Sequence, residues 1–429
     1  MNTIFSLSSG RLPSGVAVVR VSGPDAGSAV RAIAGGLPLP RRATLKRLRA
    51  PDGCAIDDAL VLWFPAPASF TGEDVAELQL TGGTAVVAAL LRTLGDIDGL
   101  RPAQPGEFAR RAFDNGKLDL TQAEGLADLI DAETEAQRRQ ALRQASGGLK
   151  ALAEDWHARL LGVLGETEAS LDFGEDEEDV SARLVGDQDA QIACLAAEIE
   201  AHLGRYRFAE RLRRGLTIVL LGAPNAGKSS LVNALAKRDV AIVSPEAGTT
   251  RDLIEVHLDL GGVAATLVDT AGLRDNTAGV VEAEGVRRAR ARADDADLVL
   301  FLCAEGKGED APPGALVVQS KADLRPSGER GTLRVSAVTG EGLFELETVL
   351  IDHARTLTGW GQDATITHER QRSALAGCRD ALIEAGGEVD AVLRAESLRL
   401  AMRCLGQLTG RVNVEDILDV VFRRFCIGK

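Results

Sequence analysis

The sequence predicts a chain of mixed class, α/β plus all-α, in which a helical bundle domain is interrupted by an inserted α/β domain. Three observations carry this. β-like runs of alternating apolar residues ("VAVVRVSG", "DALVLWF", "VAELQL") fill the first 115 residues, around one Ala/Leu-rich helix at 85–94. From Lys117 the pattern turns helical and runs to about 212, then resumes near 365 and continues to the end. Between those stretches a strand–loop–helix alternation takes over. The segments are therefore 1–115, 116–212, 213–356 and 357–429, the second and fourth forming one helical domain.

Bulk composition fits this division. At 429 residues the chain is too long for a single core, and 45% hydrophobic with 26% charged residues is globular composition. No run approaches the roughly 18 apolar residues of a membrane helix. The start, "MNTIFSLSSGRLPSG", lacks the basic region and apolar core of a signal peptide. Six cysteines are scattered without a CxxC pair, which fits reduced thiols better than a disulfide framework or a zinc site. A cytoplasmic protein with no membrane contact is expected. The net charge of −14 argues against a protein that grips nucleic acid alone, since phosphate contacts dominate such affinity. Only local basic clusters stand out, at 41–49, 205–214 and 422–425. Aromatic residues make up 3% of the chain, too few for a single-strand stacking platform, so an RNA substrate would need a partner to supply much of the grip.

In the first helical stretch Leu118, Gln122, Leu126, Leu129 and Ile130 fall on one stripe. The acidic "DFGEDEEDV" (172–180) that breaks this stretch reads as a solvated loop.

The inserted domain carries the strongest signal. In "TIVLLGAPNAGKSSLVNAL" a β run ends at Gly222 and G-x-x-x-x-G-K-S follows (Gly222, Gly227, Lys228, Ser229), opening a helix. Glycines let backbone N–H groups curl around phosphate oxygens, and the helix N-terminus adds positive potential. Lysine neutralises the β/γ oxygens and the serine ligates Mg²⁺. "ATLVDTAG" then gives a strand ending in Asp269, placed to hold Mg²⁺ through water, and Gly272, whose N–H suits a γ-phosphate. "GTTRD" between them supplies Thr250, a hydroxyl to complete the metal shell when the γ-phosphate is present. "LVVQSKADL" offers Lys321 and Asp323, the aspartate matching N1–H and N2–H of guanine. "RVSAVTGEGL" offers Ser336 and Ala337, whose backbone can back the base. The first string and these four further ones together predict a GTPase domain.

Two features depart from the usual pattern. Ser320 stands where N-K-x-D has its asparagine, so a contact tying the base loop to the phosphate loop is expected to weaken. Leu273 stands where Ras-like enzymes place a water-orienting glutamine. Glu282 and Glu284 are the downstream alternatives, each also readable as a solvated helix-start carboxylate.

In the last segment Leu393, Leu398, Met402, Leu405 and Leu408 make a core face. The terminal "CIGK" fails as a prenylation box, because Gly428 is not aliphatic and no second membrane signal accompanies it. The amphipathic "VEDILDVVFRRF" before it is expected to dock into the helical domain.

The chain resembles the MnmE (TrmE) family of tRNA-modification GTPases. The likeness rests on "APASFTGEDVAELQLTGG" (66–83), "RPAQPGEFARRAFDNGKLDLTQAEGLADLI" (101–130), "LGAPNAGKSSLVNALAKRDVAIVSPEAGTTRD" (221–252) and the terminal "FCIGK". It implies an N-terminal folate-binding and dimerising domain, then a helical domain interrupted by the P-loop GTPase. It implies a homodimer that works with the flavoprotein MnmG, as a heterotetramer. Together they would add a carboxymethylaminomethyl-type group to C5 of the wobble uridine of certain tRNAs, from a 5-formyl or 5,10-methylene tetrahydrofolate donor.

The resemblance also implies a site. Its nucleotide set is Asn225, Ala226, Gly227, Lys228, Ser229, Ser230, Ser244, Pro245, Glu246, Ala247, Gly248, Thr249, Thr250, Asp269, Thr270, Ala271, Gly272, Lys321, Asp323, Ser336 and Ala337. Mg²⁺ falls to Ser229 and Thr250. K⁺, which stimulates hydrolysis in the family, falls to Asn225, Ser244, Glu246 and Thr249, although an asparagine in a P-loop is also a mere spacer. E-x-x-G selects Glu282 over Glu284 as the catalytic, water-orienting carboxylate. Folate falls to Arg20, Glu77, Lys117 and Lys429, with Thr81 replacing the histidine of the family's HGG. Cys426 has two readings, a catalytic thiol at the modification site or a buried small residue. A GTPase of another class, a regulatory switch in ribosome assembly, fits the nucleotide strings alone.

Overall fold

The structure is a computed structural model. It describes residues 2–172, 178–223, 225–238, 240–242, 255–269, 295–304, 310–324, 333–359, 365–412, 418, 421–423, 425 and 428. The chain divides into two compact units. Unit 1 gathers 1–127, 145–158 and 402–429; unit 2 gathers 128–144 and 159–401.

Unit 1 is built on a six-stranded sheet of β1 (Thr3–Leu7), β2 (Ser14–Ser22), β3 (Thr44–Arg49), β4 (Ala55–Phe64), β5 (Val75–Gly82) and β6 (Leu100–Pro102). The spatial order is β3-β4-β5-β2-β1-β6, antiparallel except for the β1–β6 pair. Strand side chains alternate between faces, and the sequence obeys this. Val19 and Val21 of β2, Leu78 and Leu80 of β5, and Val61 and Trp63 of β4 all enter one core. Helices α1 (Ala26–Ala34) and α2 (Thr84–Gly95) cover that face with Val30, Ile33, Leu90 and Leu94. Arg20 and Glu77 fall on the other face.

A second core forms on α3 (Glu107–Asp114) and α4 (Leu120–Asp131). There Ala109, Leu120 and Ala123 pack with Leu418, Val421, Phe422 and Phe425 from the chain's last segment. The Phe113 and Phe422 rings lie 6.1 Å apart. The backbone of that segment passes so close to Gly106 (φ +69°) that a Cβ there would stand 2.1 Å from the Phe422 carbonyl oxygen. Gly428, further on, accepts a hydrogen bond from Ser8 Oγ at 2.8 Å, just beyond β1. The tail is thus held by α3, α4 and the end of β1.

The expected stripe on α4 needs correction. Its buried residues are Leu120, Thr121, Ala123, Glu124 and Gly125, whereas Ile130 is 37% exposed. Leu120 and Ala123 meet the Phe-rich tail, while Leu126 of the expected stripe packs against the same core from a partly buried position.

Unit 2 contains a second six-stranded sheet, of β7 (Leu216–Gly222), β8 (Glu255–Leu260), β9 (Val263–Asp269), β10 (Leu298–Cys303), β11 (Leu316–Gln319) and β12 (Leu333–Arg334). The order is β12-β11-β10-β7-β9-β8, parallel apart from the β8–β9 hairpin. β7 is central and reads as a continuous apolar run, as a strand buried on both faces should. α9 (Lys228–Leu235) and α10 (Leu343–Thr358) supply Leu231, Leu235, Leu346 and Leu350 to its core.

The remaining helices are α5 (Glu135–Ala145), α6 (Gly148–Asp172), α7 (Glu178–Gly204), α8 (Tyr206–Arg214), α11 (Glu369–Gly387) and α12 (Ala391–Thr409). α7 packs along α11, burying Ile192, Leu195, Leu375 and Leu382. On α12 Leu398, Leu405 and Leu408 are buried as expected, but Leu393 is 55% exposed. It lies five residues before Leu398, about 140° round the helix, and so off the apolar stripe. No helix among the described residues is long and apolar enough to cross a membrane.

Candidate functional site

In a parallel sheet, ligands are read by the loops beyond the carboxyl ends of the strands. The described residues of the nucleotide strings collect there. β7 ends at Gly222, and a Cβ on that glycine would stand 2.2 Å from the Leu302 carbonyl oxygen of β10. Only glycine permits this approach, and it sets where the loop leaves the sheet. The loop turns through Asn225 (φ 63°) and Gly227 (φ 93°) into α9. Ala226 is buried, and Lys228, Ser229 and Ser230 form the first helical turn, which carries no acidic residue. An uncompensated N-terminus of this kind favours an anion. Lys228 Nζ donates to the carbonyls of Gly222 (2.8 Å) and Ala223 (3.0 Å), so the ammonium is folded over its own loop. Ser229 Oγ donates to Asp269 Oδ2 at 2.7 Å, joining the first turn of α9 to the end of β9. Two oxygen donors on one point are what a hard divalent cation takes.

The base-reading strings lie on the neighbouring loops. β11 leads through buried Ser320 to Lys321 (φ 57°) and Asp323. Ser320 Oγ lies 2.7 Å from the carbonyl oxygen of Ala226 and 3.3 Å from that of Cys303. The tie between the two loops is thus present with a hydroxyl in place of the amide. The backbone N–H of Ser320 donates to the Cys303 carbonyl (2.8 Å) at the end of β10. Ser336 Oγ donates to Asp323 Oδ1 at 2.6 Å and accepts from the N–H groups of Val338 (3.3 Å) and Thr339 (3.1 Å). Sequence reasoning gave Ser336 and Ala337 a backbone role only and missed this side-chain brace. Cys303 lies buried at the end of β10, and burial pushes its thiol up.

Several residues fall outside the described ones: Ser244, Pro245, Glu246, Ala247, Gly248, Thr249, Thr250, Thr270, Ala271, Gly272 and Glu282. So do Cys426 and Lys429.

In unit 1 two of the residues assigned to folate, Arg20 and Glu77, meet on the face of the sheet away from α1 and α2. Arg20 and Glu77 are directly opposed across β2 and β5 and form an ion pair at 2.9 Å. The Arg20 guanidinium also lies 5.3 Å from the centre of the half-exposed Phe70 ring and 5.7 Å from that of Phe108. A Cβ on Gly72 would be 3.3 Å from Lys117 Cε. The 70–73 loop therefore touches Arg20 through Phe70 and Lys117 through Gly72. Gly428 is held by Ser8, two residues along the chain from Ser6, which pairs with Arg20.

Beneath that loop lies a charged network that sequence reasoning missed. Buried Arg111 donates to Glu73 Oε2 (3.0 Å), Glu107 Oε1 (3.2 Å) and the Asn2 carbonyl (2.8 Å). Ser22 Oγ donates to Glu73 Oε2 at 2.8 Å. Burial alone would raise the Glu107 carboxyl, but hydrogen bonds from Arg101, the Gln104 N–H and Arg111 hold it below the usual carboxylate range. The signal was present, since Glu73, Glu107 and Arg111 sit inside strings already notable for family resemblance.

The basic cluster at 205–214 is partly consumed internally. Arg211 and Arg214 pair with the Asp297 carboxylate at 3.0 and 2.8 Å. Among the described residues no group of three or more His, Cys, Asp or Glu side chains could hold a metal ion.

Comparisons with known proteins agree with this arrangement. The family model "GTP-binding protein TrmE N-terminus" matches residues 3–117, and the "MnmE helical domain" model matches 120–426. The tRNA modification GTPase MnmE of Parvibaculum lavamentivorans is 52% identical, the match covering 100% of both chains. Proteins of the same name from Methylobacterium sp. and Bradyrhizobium sp. are 53% and 52% identical. These matches cover 100% of this chain and 100% and 99% of theirs. With both family models aligned in order and identity above half from end to end, the chain belongs to the MnmE family of tRNA modification GTPases.

Proposed function

We propose that this chain is a K⁺-stimulated GTPase that, with a flavoprotein of the MnmG type, adds a carboxymethylaminomethyl-type group to C5 of the wobble uridine of certain tRNAs. A tetrahydrofolate derivative supplies the carbon. The observation that carries the reading is full-length identity to proteins named tRNA modification GTPase MnmE, on a chain whose phosphate and base loops are assembled. Segment 1–115 serves folate binding and dimerisation, 213–356 hydrolyses GTP, and 116–212 with 357–429 forms the helical domain. The working assembly is a homodimer joined by the flavoprotein, in the cytoplasm, with tRNA as shared substrate.

In this reading the α9 N-terminus and Lys228 bind the phosphates, and Asp323, braced by Ser336, selects guanine. Ser229 and Thr250 hold Mg²⁺, the fit resting on the oxygen pair of Ser229 and Asp269. Asn225 contributes an oxygen to K⁺, with Ser244, Glu246 and Thr249 completing the set. K⁺ supplies positive charge where phosphoryl oxygens gain negative charge. Glu282 orients the attacking water. Arg20, Glu77, Lys117 and Lys429 hold the folate, where the cationic and carboxylate edges match a glutamate tail and an amino-pyrimidine. Phe70 offers an apolar face beside them. Cys426 acts as a thiol at the modification site. Reconstitution tests this: purified chain, MnmG-type flavoprotein, GTP, K⁺, folate donor and unmodified tRNA should yield the modified nucleoside. GTP hydrolysis with no nucleoside product would leave a GTPase of another purpose.

A further inference from the structure

The inserted domain meets its helical frame, within unit 2, through a polar network whose glutamines are buried and which has no counterpart in the nucleotide chemistry. The chain enters the domain at Arg213–Gly215 and leaves it before Thr365. One helix, α5, holds both crossings. Its Gln137, Gln140 and Gln144 are all buried and fall on one face, at i, i+3 and i+7. Gln137 Nε2 donates to the Arg213 carbonyl (3.1 Å), Gln140 Nε2 to the Ala209 carbonyl (3.2 Å), and Gln144 Nε2 to the Thr365 carbonyl. The crossings are also tied to each other. Arg213 Nε donates to the Thr367 carbonyl at 2.9 Å, Arg213 lies 3.7 Å from Asp128, and His368 Nε2 lies 2.9 Å from Asp128 Oδ2.

Gln137 connects this joint to the strands that flank the nucleotide. Its Oε1 accepts the N–H groups of Glu133 (2.9 Å) and Thr134 (3.1 Å), so both ends of the amide are committed. The Glu133 carboxylate lies 3.7 Å from His257 Nδ1 on β8. β8 begins five residues after 250 in sequence, and its hairpin partner β9 ends at Asp269, the residue bonded to Ser229. Between α5 and these strands is a cavity of about 280 Å³, lined by Glu133, Gln137, Ala141, His257, Ala265 and Thr266 among others. The cleft is partly open to solvent, and unfilled space on one side of a hairpin lets it shift without overpacking.

We propose that this network, centred on Gln137, is the joint that passes the nucleotide state of β8 and β9 to α5 and α11. A physical warrant for coupling is a contiguous set of contacts that both sites bias. This set runs His257–Glu133–Gln137–Arg213–Thr367, and the inference rests on the GTPase reading. The test is hydrogen–deuterium exchange of the full-length protein with GDP and with a non-hydrolysable GTP analogue. Amides of 135–145 and 365–371 should differ between the states by more than about threefold in the wild type. In Gln137→Met that difference should vanish while GTP hydrolysis stays within about twofold. Equal exchange of those amides in the wild type, while α9 responds to nucleotide, would overturn the proposal without any variant. So would a Gln137→Met protein that keeps the difference, or one that also loses hydrolysis, since the network would then support the nucleotide site itself. An α9 that does not respond to either nucleotide would instead refute the GTPase reading.

Discussion

Ser320 and Ala226 stand 94 residues apart in sequence, yet the Ser320 hydroxyl lies 2.7 Å from the Ala226 carbonyl oxygen. One buried hydroxyl thus links the base loop to the phosphate loop. Removing it in Ser320→Ala leaves a buried carbonyl without its donor, a loss of about 1–3 kcal/mol. GTP and GDP affinity should fall about tenfold. The preference for guanine over adenine should be unchanged, because Asp323 and Ser336 keep their 2.6 Å contact. Fluorescent-nucleotide titration checks both halves, and unaltered affinity would show that the tie is idle.

Replacement of Asn225 probes the monovalent cation. Hydrolysis should run faster in K⁺ than in Na⁺, and Asn225→Ala should abolish the difference while GTP still binds. Phosphate release measured in matched salts decides it. Equal wild-type rates in the two salts remove K⁺ from the mechanism.

Gly106→Ala should release the chain's last segment. The new methyl would meet the Phe422 carbonyl oxygen at 2.1 Å, in a backbone conformation of φ +69°. Strain of this kind costs about 1–3 kcal/mol. The melting temperature should drop by several degrees, and trypsin should cut near Arg423 sooner than in the wild type. A variant with wild-type melting and cleavage would mean the segment is held differently.

Glu107 gives a pH dependence with a definite sign. Its carboxyl is held below the usual range in the fold. Its stabilisation is therefore present above the unfolded value, about pH 4.3, and is lost as pH falls through the lower folded value. Glu107→Gln should be less stable at neutral pH and should lose less on acidification below about pH 4. Thermal melts across that range compare the two slopes. Parallel slopes would exclude Glu107 as a source of acid sensitivity.

The geometry of the loop between β7 and α9 was legible in the sequence because backbone conformation dictates its residues. Gly222 must admit the Leu302 carbonyl and Lys228 must open a helix, so residue type and spacing are fixed together. Strand alternation in β2 and β5 was legible for the same reason. The Ser320 contact was not, because whether a short side chain reaches depends on where β11 sits against β10. Nor was the Gln137 joint. "EAQRRQALRQA" has too few apolar residues to mark a buried face, and its partners lie up to 223 residues away in the chain. The tail was half legible: its apolar periodicity fixed a buried helix face, but the match to Gly106 and α3 is a long-range fit.

The most direct measurement is mass spectrometry of tRNA nucleosides from cells lacking this gene, beside cells complemented with the wild type. The expected result is loss of the carboxymethylaminomethyl-type wobble uridine in the first and its return in the second. Wobble uridines unchanged by the deletion would contradict the account.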